Sequence, residues 1–239
     1  MTESQFGLPW QDGRLLALDV ETTGTDPETA RIVAAAVVAV GGGAPAETAT
    51  WLLDPGIDIP AEATAVHHIT TEQAQTDGRA AADALPEIAA AVTGSRGPWD
   101  VPLVVFRAPY ALTVLARECA RHDLDFPADQ AAPVLDPYVI DKNLDRYRRG
   151  RRTLPELCRH YQVRHDGPND AAHDAMAAAR LAWRLPRVHL ALTAMSPPEL
   201  HRNQITWAAE QAAGLQEHKR RTDPNAHVSG AWPLIPAET

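Results

Sequence analysis

The chain has 239 residues, 45% hydrophobic and 22% charged, with 22 basic and 31 acidic side chains giving a formal net charge of −9. That length buries a full core as one domain with room for a small appendage, and the negative balance argues against a broad electrostatic footprint for nucleic acid while leaving room for a local one. No run of about 18 apolar residues predicts a membrane span, and the start MTESQFGLPWQDGR lacks the basic-then-apolar order of a signal peptide.

In chain order, RLLALDV (14–20) is an apolar run ending in an acid, and RIVAAAVVAV (31–40) is rich in small and β-branched residues. Gly41, Gly42 and Gly43 suit a hairpin, after which ETATWLLDPG alternates toward a break at Pro55 and Gly56. Residues 71–93 are helix-prone with an interruption at Gly78. VPLVVF (101–106) predicts a short buried strand, and 109–122 an amphipathic helix with Leu112, Leu115 and Cys119 on one face. APVLDPYVI (132–140) predicts a fifth strand, and helices follow at 153–162 and 170–185. The order β-β-β-α-β-α-β-α-α predicts an α/β fold, a five-stranded mixed sheet with helices on both faces. Residues 196–221 open with an N-cap serine and prolines and run on as a helix. Trp232 and Leu234 are expected to anchor the aperiodic remainder. The expected division is 1–190 for the α/β domain and 191–239 for a C-terminal helix and extended arm packed on it. Cys119 and Cys158 lack a metal-ligand spacing and make no disulfide framework, so a reducing cytoplasm is the expected location.

Residues two apart on a strand share a face, so Asp19 and Glu21 project together from the end of the first strand. Adjacent carboxylates raise each other's pKa unless a cation neutralises them, and oxygen ligands favour magnesium or manganese. Thr22, Thr23 and Gly24 then offer hydroxyls and an unhindered backbone to a ligand on the bend. A second strand-to-helix bend, VVFRAPYALTVL (104–115), carries Arg107 and Ala111 where such corners often carry a carboxylate.

LLALDVETTGTDPETARIV resembles the first motif of the DEDD superfamily of 3′–5′ exonucleases, which includes proofreading subunits of bacterial replicative polymerases, RNase T and oligoribonuclease. IPAEATAVHHIT, PLVVFRAPYALTVLARE and VRHDGPNDAAHDAMAAARLAWRL resemble later segments of that family. The tail from AAEQAAGLQE to GAWPLIP looks like an extension of actinobacterial members. The resemblance implies a ribonuclease H-like fold and two-metal phosphodiester hydrolysis with magnesium or manganese. The implied partner is a single-stranded nucleic-acid 3′ end or a nucleotide. It makes Asp19, Glu21 and Asp174 catalytic acids and metal ligands, and gives His67 a supporting role near the substrate.

The sequence also departs from the family pattern. The second-motif acid falls on Ala111, the asparagine that often begins that motif falls on Arg107, and the general-base histidine falls on Asn169. On this reading one cation site stands while the second site and the base are lost, and hydrolysis is very slow or absent. The two exchanges at the second motif change the local charge by +2. Arg107 is therefore expected to take the second ion's place and clamp a phosphate, with Tyr110 lining the pocket. Three alternatives stay open: an active exonuclease with a modified site, a fold reassigned to a small nucleotide-like molecule, and a scaffold for a protein partner. His160 and His165 are expected on the surface, Asp170 as a helix cap, and Trp183 and Trp207 as packing residues. DRYRRGRR (145–152) offers five arginines and Tyr147 to phosphates and a base, or is simply a solvated loop.

Overall fold

The computed structural model describes residues 9–93, 101–127, 131, 133–167 and 169–237. Strands β1 (Arg14–Thr22), β2 (Ile32–Gly41) and β3 (Glu47–Asp54) form an antiparallel meander. The turn after β2 needs glycine: Gly41 has φ 84°, and a Cβ there would lie 2.4 Å from the Gly13 carbonyl oxygen. Helices α1 (Ala61–His67) and α2 (Thr71–Asp77) lead to β4 (Arg79–Ala80) and α3 (Ala81–Thr93). Then come β5 (Leu103–Val105), α4 (Ala108–Arg121), β6 (Val134–Leu135) and α5 (Pro137–Leu144). Helices α6 (Leu154–Tyr161), α7 (Ala171–Val188) and α8 (Pro197–Lys219) complete the order.

The sheet runs β4-β3-β2-β1-β5-β6, with β4, β5 and β6 each parallel to a neighbour. It has six strands instead of the five expected, because the break at Gly78 admits a two-residue edge strand between α2 and α3. The strand expected over 132–140 shrinks to β6. Asp136 and Pro137 stop it: proline suits the first helical position, and the Asp136 carboxylate caps α5 by accepting from the Tyr138 N–H at 2.9 Å.

Alternation along β1 divides the core into two layers. Leu18 and Val20 pack with Leu85, Ile88, Leu112 and Leu115 of α3 and α4. Leu15 and Ala17 pack on the opposite face with α6 and α7. Ala175, Ala178, Ala179 and Ala182 give α7 a small-residue stripe that lets it lie close on the sheet. The same parity points Asp19 and Glu21 at α7.

Helix α8 closes the β6 edge. Gln204 accepts from the Asp136 N–H at 2.7 Å and donates to the Val134 carbonyl at 3.0 Å, so the open strand edge is satisfied by a buried side chain. Trp232 is buried in the α3–α4 layer, and Leu234 packs against that layer. The Ile235 N–H donates to Thr113 Oγ1 at 2.9 Å. Trp207 packs against both layers, whereas Trp183 is 45% exposed, with the Arg187 guanidinium over its ring at 3.8 Å from the centroid. Trp183 is thus a surface residue, contrary to the packing role expected. Among the described residues no helix is long and apolar enough to cross a membrane.

Candidate metal centre

Asp19 and Glu21 leave β1 toward α7, and Asp174 stands in the first turn of α7. One carboxylate oxygen from each of the three lies within 4.8 Å of the other two. Burial, then Asp174 and Glu21, hold the Asp19 carboxyl well above the usual carboxylate range. Burial, then Asp174, pushes Glu21 up to about 7. Asp174 is raised by burial, against the pull of a histidine hydrogen bond. Glu21 Oε1 is buried and has no hydrogen-bond partner among the described residues. Three crowded carboxylates and an orphaned acceptor fit a hard divalent cation held through oxygen.

That histidine is His165. Its Nε2 lies 2.5 Å from Asp174 Oδ1, and its side chain is 8% exposed. The surface position expected for His165 is therefore corrected: the loop before α7 folds back and brings a residue nine positions upstream onto the acid. His160 is exposed. Asn169 adopts φ 64°, a left-handed conformation that asparagine tolerates, and its N–H donates to Asp174 Oδ2 at 3.3 Å. Asp170 caps α7 by accepting from the N–H groups of Ala172 and His173, each at 3.0 Å. His173 points away, its Nδ1 3.6 Å from Asp170.

The bend after β1 is tied down by its own hydroxyls. Thr22 Oγ1 donates to the Gly24 carbonyl at 2.9 Å and lies 2.5 Å from the Tyr110 hydroxyl, which also donates to Gly24 O. Thr23 is buried, and its Oγ1 accepts from the Arg31 N–H at 2.9 Å. These hydroxyls, read from the sequence as free for a ligand, are engaged in shaping the bend. Gly24 is open, since a Cβ there would meet nothing within 4 Å. His67 is buried; its Nδ1 accepts from the Ile69 N–H at 3.1 Å, and its Nε2 has no partner among the described residues. Burial lowers its pKa.

The second bend supplies no acid. Ala111 lies in the first turn of α4, 4% exposed in the apolar α3–α4 layer. Arg107 precedes the helix at φ 57° and ψ 53°. Its guanidinium sits over Tyr138, 4.8 Å from the ring centroid, and makes no ion pair with Asp19, Glu21 or Asp174. It does not stand among the acids, where the charge argument put it. A left-handed arginine is strained by roughly 1–2 kcal/mol, and its stack on Tyr138 offsets about 0.5–1 kcal/mol of that, so Arg107→Asn is expected to raise stability by less than about 1 kcal/mol in denaturant unfolding.

The basic loop is also partly spoken for. Arg148 and Arg152 both bind Asp141, which is 0% exposed, at 3.1 and 2.8 Å, and Tyr161 donates to the same carboxylate at 2.8 Å. Arg148 thus fastens the loop, while Arg146, Tyr147, Arg149 and Arg151 are exposed.

A family model described as Exonuclease, of the RNase T type, matches residues 16–182. The chain belongs to this exonuclease family. The match and the fold together place it in the DEDD superfamily of 3′–5′ exonucleases. Among solved structures it is similar to E. coli exonuclease I in a zinc-bound complex with single-stranded DNA, with a TM-score of 0.64 and 18% identity over 76% of this chain and 42% of that one. A second exonuclease I structure, with a dA16 oligonucleotide, gives a TM-score of 0.65 at 17% identity. Exonuclease X in complex with 5′-overhanging duplex DNA gives 0.56 at 18% identity, covering 80% of this chain and 99% of that one. At such identities the similarity concerns the fold, and this exonuclease-family chain spans only 42% of the exonuclease I chain. No curated protein sequence matches it.

Proposed function

We propose that the protein binds one divalent cation, magnesium or manganese, through Asp19, Glu21 and Asp174, and holds a single-stranded nucleic-acid 3′ end there with strongly impaired hydrolysis. The observation that carries this reading is the convergence of these three acids within 4.8 Å, while the second-motif position is the methyl group of Ala111. A bound ion supplies charge neutralisation and water activation. The chain's own contribution is positional: the Thr22–Gly24–Tyr110 bend fixes β1's end, and Gly24 leaves backbone open to a ligand. Asn169 offers an amide that does not accept a proton near neutral pH. DNA complexes of the similar exonucleases support a nucleic-acid ligand. Cytoplasmic residence belongs to the same reading, supported by two free, buried cysteines.

One contact favours a second reading. His165 brings an imidazole onto Asp174, so an active enzyme could draw its base from the loop, replacing the histidine expected at Asn169. A labelled single-stranded oligonucleotide with manganese separates the two. Retention in a mobility-shift assay without shortening supports the impaired site; brisk shortening that His165→Ala abolishes supports the second reading.

A further inference from the structure

A groove of about 310 Å³ lies between the domain core and the C-terminal arm. Its inner wall carries Arg107, Tyr138 and Lys142, and its outer wall carries Ala212, Leu215 and Trp232. Lys142 Nζ lies 5.5 Å from the Tyr138 ring centroid, so two cations share one ring with the Arg107 guanidinium at 4.8 Å. Neither forms an ion pair among the described residues, in a chain whose net charge is −9. Asp136 is the acid of the lining, and its oxygens are already taken by the N–H groups of Arg107, Ala108 and Tyr138 at 3.1, 2.9 and 2.9 Å. It does not neutralise the pair.

Tyr110 also lines the groove, and its hydroxyl reaches Thr22 and Gly24, adjoining Glu21. Tyr110 thus links the groove to the bend that follows Glu21 on the chain. The family match ends at residue 182, whereas α8 and the arm build the outer wall. This wall is an addition to the matched domain.

We infer that the groove is a nucleotide subsite, with a phosphate held by Arg107 and Lys142 and a base lying against the apolar wall of Leu215 and Trp232. This rests on the proposed reading that a strand's 3′ end sits at Asp19, Glu21 and Asp174, and it names where the neighbouring nucleotide goes. The volume lies at the lower end of the roughly 300–1,000 Å³ typical of small-ligand sites. Unpaired cations beside apolar and aromatic surface are the recognition chemistry of a single strand.

The test measures binding of a short 5′-fluorescein-labelled oligothymidylate with and without manganese, and separately measures manganese binding without the strand. Lys142→Ala is expected to weaken strand binding about tenfold and to lower the salt slope by roughly 0.7. Ala212→Trp, which fills the groove, is expected to weaken it at least as much. Manganese affinity should be unchanged in both, and thermal melts check folding; if Ala212→Trp does not fold, Lys142→Ala decides. Wild-type strand affinity in both variants overturns the groove and leaves the metal reading intact. Strand binding that falls in both variants but ignores manganese and Asp174→Asn supports the groove and sinks the metal reading. Absence of strand binding by the unaltered chain, or displacement of the strand by an acidic peptide at lower concentration, overturns the nucleotide assignment.

Discussion

The double variant Ala111→Asp, Asn169→His is expected to shorten a single-stranded oligonucleotide with magnesium at least about 10²-fold faster than the unaltered chain. A positioned general base contributes roughly 10²–10⁴ in rate, and a carboxylate in place of a methyl group restores an oxygen ligand for a second ion. Asn169 adjoins the acids through its backbone, its N–H touching Asp174, and Ala111 occupies the first turn of the helix packed behind the β1 bend, which Tyr110 braces. Each single variant should gain less than the pair, because a base without the second ion, or the reverse, completes half of the machinery. Gel analysis of the labelled strand over time gives the ratio directly. A double variant that binds manganese normally and gains nothing places the defect elsewhere in the site.

Asp136→Ala is expected to cost about 2–4 kcal/mol of folding stability, the largest loss from a single truncation outside the apolar core. The carboxylate is 0% exposed and binds three backbone N–H groups that open α4 and α5. Truncation leaves those donors buried without partners, at about 1–3 kcal/mol each before any water enters. Asp136→Asn should lose less: its oxygen can keep Arg107 and Tyr138, while its amide faces the Ala108 N–H, donor against donor. Burial raises Asp136 to about 6 in spite of the three donors. The folded state therefore holds this proton more tightly than the unfolded chain does. This group's contribution is fully present below its usual range near 3.8 and is lost as pH rises through about 6. The stability gap between the unaltered chain and Asp136→Asn should narrow across that window, read by urea unfolding at several pH values. A gap independent of pH would remove the titration argument and leave the hydrogen-bond argument standing.

The layers of the fold were legible because β1 and β2 are long, apolar and bounded by turn residues, and Gly41–Gly43 mark a hairpin that admits little else. The convergence of Asp19 and Glu21 followed from strand parity alone. Asp174 needed the family resemblance, since a lone acid in a helix's first turn carries no such message. The stretch around Asp136 misled because Val134, Tyr138, Val139 and Ile140 are strand-favouring residue types, although Asp-Pro is a helix-start signal that outweighs them. His165 was hidden for a different reason. Its contact with Asp174 depends on the path of a loop holding Gly167 and a left-handed Asn169, and no residue period encodes that path. Arg107's placement was likewise settled by its stacking on Tyr138, a partner 31 positions away that charge counting does not reveal.

Manganese binding followed by electron paramagnetic resonance bears most directly on the metal centre. With burial and mutual repulsion raising Asp19 and placing Glu21 at about 7, a cation binding at the centre competes with protons for these carboxylates. Those raised carboxyls favour the metal-free fold at low pH, and that contribution fades as pH rises through about 7. Affinity for the cation should climb over the same interval. The expected result is one manganese per chain, bound more tightly at pH 8 than at pH 6 and lost in Asp174→Asn. Two ions per chain, or one that survives Asp174→Asn, would contradict it.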